Sequence, residues 1–147
     1  MYSIMVKTIK GMSLDKDDYP TVVNHNALIE DLLKIRHYDE VSPFITSTNF
    51  PSRKSGKERI AAKIVEIRHR PVFGSSGLER DLHCLRNEGY EVVDLQELLT
   101  VLNQHKNIRA LPSIMALGSS IEIGDDLKSP FVLEHSCQGS FVGLENV

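Results

Sequence analysis

Seven cationic side chains, Arg53, Lys54, Lys57, Arg59, Lys63, Arg68 and Arg70, crowd into residues 52–75, where only Glu58 and Glu66 oppose them. That stretch carries +5, whereas residues 1–51 carry −2 and residues 76–147 carry −6, so a basic segment is set into a chain of net charge −3. Clustered cations attract phosphates or acidic surfaces and steer association over a range that salt shortens. The expectation is a binding or regulatory module without enzymatic chemistry, contacting an acidic protein or a nucleic acid through this segment. The competing structural account is a solvated loop and strand edge whose lysines discourage pairing with another strand.

Directly after the cations comes Gly74-Ser-Ser-Gly77, so that Gly74, Ser75, Ser76 and Gly77 form a turn ahead of a helical pattern. Backbone N–H groups at a helix start can face an anion, helped by the helix dipole. A phosphorylated ligand held here beside Arg68 and Arg70 is therefore the alternative function. Neither the Walker ending nor a G-x-G-x-x-G fingerprint is present, and a flexible turn with a helix cap accounts for the same residues.

His83, Cys84, His135 and Cys137 are the residues with metal-binding chemistry. Their spacing argues against zinc, because structural sites use ligand pairs two to four residues apart and His83 and Cys84 are adjacent. His135 and Cys137 would share one face of a strand, which makes half a site. No metal and no cofactor is expected. No G-x-S-x-G elbow accompanies Gly118-Ser119-Ser120, and Asp125 and Asp126 sit where a turn selects Asp for backbone reasons. No catalytic residue is assigned, and the sequence leaves open whether the chain is an enzyme.

The elements that must position these residues follow from periodicity. Leu28, Ile29, Leu32, Leu33 and Ile35 recur at helical spacing, predicting a helix from Asn26 to near His37 with Asn24 or Asn26 as its cap. Pro43 and Pro51 bias the connector between them toward extended backbone. Residues 52–59 read as a mobile basic loop, and β-branched residues favour a strand over 62–68. Ser76-Gly-Leu-Glu79 fits a capping box for a helix that stops at Gly89, and Asp94-Leu-Gln-Glu97 fits another. Ser113–Ile123 and Phe131–His135 look strand-like around a Gly124–Lys128 turn, with a last short strand through Phe141 and Val142. Residues 1–20 read as an N-terminal arm, either a short strand at Ile4 and Val6 or a loosely held segment.

The order of elements predicts an α+β fold, a mainly antiparallel sheet with about three helices packed on one face, as a single domain over 1–147. Its 41% apolar content without a membrane-length run points to no membrane partner. Two cysteines and no secretory h-region point to the cytoplasm. The absence of Trp argues against a ring-stacking surface for single strands. Oligomeric state is not legible.

Several stretches recur in a familiar order: Tyr38-Asp39, Val41, Ile45-Thr-Ser-Thr-Asn-Phe-Pro51, Gly89-Tyr90, Leu95-Gln-Glu-Leu-Leu99 and Pro112-Ser-Ile-Met-Ala-Leu-Gly-Ser119. Together they resemble a group of small uncharacterised bacterial proteins with I-T-x-x-N-F-P, x-E-L-L and P-x-x-x-A-L-G-S motifs. The likeness spans roughly Tyr38 to Ser120 and departs at the C-terminus, where that group closes with an aromatic-rich strand ending in basic residues. It implies a bacterial source and a domain layout, and it brings no catalytic residue.

Overall fold

The chain's first residues supply the middle of the sheet. In the computed structural model, which describes residues 2–110, 113–135 and 139–147, Tyr2–Thr8 form strand β1, with Ile4, Met5 and Val6 fully buried. A strand covered on both faces is apolar at successive positions, so its alternation is hidden. Of the two readings of the N-terminal arm, the structure has the strand.

Eight further strands join it among the described residues: β2 (Tyr19–Asn24), β3 (Glu40–Val41), β4 (Lys57–Ile67), β5 (Tyr90–Val92), β6 (Ile114–Met115), β7 (Ile121–Ile123), β8 (Asp126–His135) and β9 (Gly139–Asn146). They run in the order β2-β4-β1-β6-β8-β9-β3, with β5 also on β1 and β7 also on β8. All pairings are antiparallel except β1 with β6 and β3 with β9. The helices are α1 (Ile29–Ile35), α2 (Ser76–Asn87) and α3 (Leu95–Gln104). The class is α+β with a mostly antiparallel mixed sheet, as expected.

Two apolar clusters lie on opposite faces. On the first, α1 and α3 pack against Met5, Val23, Ile60, Ala62, Val132 and Val142. On the second, Leu78, Leu82 and Leu85 of α2 pack against Ile4, Val6, Ile67 and Tyr90. The expected single helical face therefore holds for two helices, and the third sits on the other side. Its lone stripe of leucines matches a sheet that has apolar residues to cover on both faces.

Helix α3 is buried almost all round, and Asp94 starts it with a complete capping box: Glu97 N–H donates to Asp94 Oδ1 at 2.8 Å and Asp94 N–H to Glu97 Oε1 at 3.1 Å. Gly118 lets the chain after β6 press on that start, since a Cβ there would lie 2.6 Å from the Val93 carbonyl oxygen. Ser119 Oγ then accepts from the Leu95 N–H at 2.8 Å. The A-L-G-S motif thus seats the N-terminus of α3. Ile45 and Phe50 of the I-T-x-x-N-F-P motif are core residues, and Asn49 ties the connector by donating to the Phe44 carbonyl at 2.9 Å.

Other boundaries moved for local reasons. Ser75, one residue before the expected cap, accepts from the Leu78 N–H at 3.3 Å and starts α2. Helix α1 begins after Leu28, which has no capping side chain; Ser47 Oγ accepts from the Ile29 N–H at 2.8 Å instead, and Asn24 Oδ1 accepts from the Asn26 N–H in the preceding turn. Strand β4 begins at Lys57, so residues 57–59 of the expected basic loop are strand paired to β2. The stretch 113–123 splits into β6 and β7, and the Gly124–Lys128 turn shrinks to Gly124 and Asp125 with Asp126 already in β8.

Candidate functional site

Strand geometry disperses the basic segment. Eleven residues of β4 span roughly 33 Å from Lys57 to Ile67 at the usual strand rise. Arg68 and Arg70, both exposed, follow its far end and are well separated from Arg53 and Lys54. Alternation divides the rest: Lys57, Arg59 and Lys63 lie on the second face, whereas Glu58 and Glu66 lie on the first. Lys54 is engaged by Glu58 at 3.1 Å, and Lys63 by Asp15 at 3.5 Å, with its ammonium 5.3 Å from the Tyr90 ring centre.

The remaining cations, Arg53, Lys57, Arg59, Arg68 and Arg70, are exposed and form no ion pair with a carboxylate among the described residues. Lys57 and Arg59 stand together, flanked across the β2 ladder by Asn24 and Val22. A shallow groove of about 320 Å³ borders Arg59, lined also by Ser13, Val22 and Gln104. Strand β1 pairs with β4 only over residues 62–67, so Lys57 and Arg59 have a neighbouring strand on the β2 side alone, which is the position the edge-protection account requires.

The edge strand is β2, and other groups close it. Val22 N–H donates to Gln104 Oε1 at 3.1 Å, Gln104 Nε2 donates to the Val22 carbonyl at 2.6 Å, and His105 Nε2 lies 2.8 Å from the Pro20 carbonyl. Pro20 has no N–H to offer. The end of α3 therefore occupies the outward backbone groups that another strand would need.

The glycine–serine turn is committed to structure. Ser75 Oγ caps α2, Gly74 adopts a left-handed φ of 82°, and a Cβ on Gly77 would come 3.0 Å from the His69 ring. His83 and Cys84 are exposed on α2, with His83 Nε2 3.3 Å from Asn87 Nδ2. Cys137 and the side chain of His135 lie outside the described residues. Among the described residues no three His, Cys, Asp or Glu side chains converge as metal ligands, and no helix is long and apolar enough to cross a membrane.

Sequence reasoning missed a buried polar network beneath β2 and β4. Lys7 donates to Glu97 at 2.5 Å and lies 3.9 Å from Glu91. Burial pulls the Lys7 pKa down, but the hydrogen bond and charge of Glu97, with Glu91 and Glu58 beyond, outweigh it and leave it above its ordinary value. Burial holds the Glu97 carboxyl above the usual range, against the pull of Lys7. Alongside, His25 places Nε2 2.7 Å from Glu58 and Nδ1 3.1 Å from Gln96 Oε1. Gln96 Nε2 donates to the His25 and Ala27 carbonyls, which fixes the amide so that both ring nitrogens of His25 face acceptors. Burial opposes ionisation of Glu58, yet hydrogen bonds from His25 and Lys54 bring its pKa below the ordinary value.

No described groove is lined by Lys7, His25 or Glu97. The network joins α3 to β1, to β4 and to His25 just after β2. The only sequence signal was a lysine inside an apolar run and a cap glutamate with a second duty.

Fold and surface together define an α+β domain with paired, buried ionisable groups near α3 and, among the described residues, shallow grooves and unpaired cations on its surface. No family model matches the chain, and neither a curated protein nor a solved structure does.

Proposed function

We propose that this chain is a binding module that docks an acidic protein segment along the exposed corner of β2 and β4, through Lys57, Arg59 and the neighbouring Arg53. The observation that carries this reading is the Lys57–Arg59 pair: two cations on one exposed sheet face, beside a groove, without a described carboxylate to neutralise them. An acidic protein is favoured over a nucleic acid for two reasons. The net charge of −3 opposes binding to a polyanion as long as DNA, and the aromatic ring in β2, Tyr19, lies on the first face.

Fluorescence anisotropy with a labelled glutamate-rich peptide and a labelled DNA duplex tests the reading at about 50 mM and about 300 mM salt, which shortens the reach of exposed charges. The peptide is expected to bind at low salt, to weaken as salt rises and to be lost when Arg53, Lys57 and Arg59 are changed to Ser. Replacing Arg68 and Arg70 instead is expected to leave binding in place. Equal binding by the triple variant would refute the reading, and preferential binding of the duplex would replace the acidic protein with nucleic acid.

A further inference from the structure

The opposite edge of the sheet is built differently from β2. In β9 the outward-facing backbone belongs to the even-numbered residues: Ser140 and Val142 accept at their carbonyls from Asp39 N–H and Ser42 N–H, both at 2.9 Å. The residue facing Leu144 is Pro130, whose own carbonyl accepts from Ala116 N–H on the far side, so the Leu144 backbone must also point outward. Strand β3 covers this edge only at Phe141 and Val142. The chain then meets Pro43, which cannot continue the ladder. The N–H and carbonyl groups of Leu144 and Asn146 consequently have no hydrogen-bond partner among the described residues.

An apolar groove of about 650 Å³ lies beside this open edge, on the part of the second face that α2 leaves uncovered. Phe131, Leu133 and Phe141 form its floor, and Val41 and Pro43 one wall. Gly143 carries no side chain because a Cβ would lie 2.9 Å from the Phe131 ring. Glu40 stands at one end, paired in register with Phe141, and the exposed Glu145 lies on the same face at the other.

We infer that this edge receives an extended apolar peptide segment flanked by Lys or Arg, added as a strand beyond β3. Its backbone would bond to Leu144 and Asn146, its alternate side chains would rest on Phe131 and Phe141, and its cations would face Glu40 and Glu145. Strand addition draws affinity from main-chain hydrogen bonds and selectivity from alternate side chains, and the geometry supplies both. The two carboxylates decide the charge of the occupant. This surface shares no residue with the Lys57–Arg59 corner, so either proposal can fail without the other.

The test uses the intact chain and three synthetic peptides of alternating Val and Thr: one with terminal lysines, one with terminal glutamates, and one with terminal lysines and alternate amides N-methylated. Amide chemical shifts of Leu144 and Asn146 report binding. The lysine peptide is expected to move both and the other two to move neither. Asn146→Pro removes an outward N–H and is expected to weaken the lysine peptide about tenfold, the scale of one backbone hydrogen bond. Glu145→Lys is expected to weaken the lysine peptide and admit the glutamate one; this arm and the N-methylated peptide carry the test if the proline variant fails to fold. Unmoved Leu144 and Asn146 amides, equal binding of the N-methylated peptide, or indifference to Glu145→Lys would each overturn the proposal. So would sedimentation of the free chain as a dimer with protected β9 amides, because the edge would then belong to a second copy.

Discussion

The two ends of the sheet solve the same problem in different ways. At the β2–β4–β1 end, a helix side chain satisfies the edge backbone and the buried charges are paired. At the β8–β9–β3 end the ladder stops at a proline, two backbone positions have no partner among the described residues, and one face keeps aromatic side chains in an open groove. The difference teaches where binding can occur: an edge closed by its own side chains offers a partner only surface charge, whereas an unfinished edge offers hydrogen bonds and apolar contact together.

The buried network at the first end is the place where this contrast breaks most easily. Glu97→Ala leaves Lys7 buried without its carboxylate and is expected to cost about 3–5 kcal/mol in urea unfolding. The double replacement Lys7→Met with Glu97→Leu should recover most of that loss, since it removes both charges rather than stranding one. A loss under 1 kcal/mol for Glu97→Ala, by the same scale of about 3–5, would mean water reaches the pair and that this end is less sealed than described.

Gly118→Ala comes next. The new methyl would meet the Val93 carbonyl, a backbone atom that cannot rotate away, so a loss of about 1–3 kcal/mol is expected. Chemical denaturation measures it directly, and an unchanged midpoint would show that the chain entering α3 has slack.

Gln104→Ala converts the closed edge into an open one and so sharpens the comparison. Its stability cost should be about 1 kcal/mol, with concentration-dependent association appearing in sedimentation as Val22 seeks new partners. A variant that stays monomeric at every concentration would show that Pro20 and His105 suffice.

The smallest stability effect belongs to the β8–β9–β3 end. Tyr38 is buried with no partner for its hydroxyl among the described residues, so Tyr38→Phe should shift stability by less than about 0.5 kcal/mol. Its signature is in alkali. Burial raises Tyr38 to about 12, aided by Glu134 and opposed by Arg36, and burial with the Asp18 carboxylate raises Tyr90 to about 12. Between pH 10 and about 12 the unfolded chain releases these protons while the folded chain keeps them, so stability falls as pH rises. Removing the Tyr38 hydroxyl removes one such group, and the alkaline midpoint should move upward in a circular-dichroism titration.

What could be read from residues alone was local. Helix α3 was legible because Asp94 and Glu97 form a reciprocal cap ahead of leucines at helical spacing, and helix α2 because its leucines share one face. Strand β1 was legible only as one of two readings, since a strand buried on both sides loses its alternation. The basic segment was legible as charge and misleading as a patch, because the strand that carries it sends Glu58 inward and spreads its cations along its length. The groove beside β9 had no signal in its own residues, which read simply as apolar strand.

Sequence by itself determined the capped start of α3, the α+β class and the uneven charge, because each is set by composition or by neighbours within a few positions along the chain. Tertiary structure decided which cations stay unpaired, which edge Gln104 closes and which edge Pro43 leaves unfinished. Those outcomes depend on hydrogen bonds between residues as far apart as Val22 and Gln104, and no local pattern encodes them.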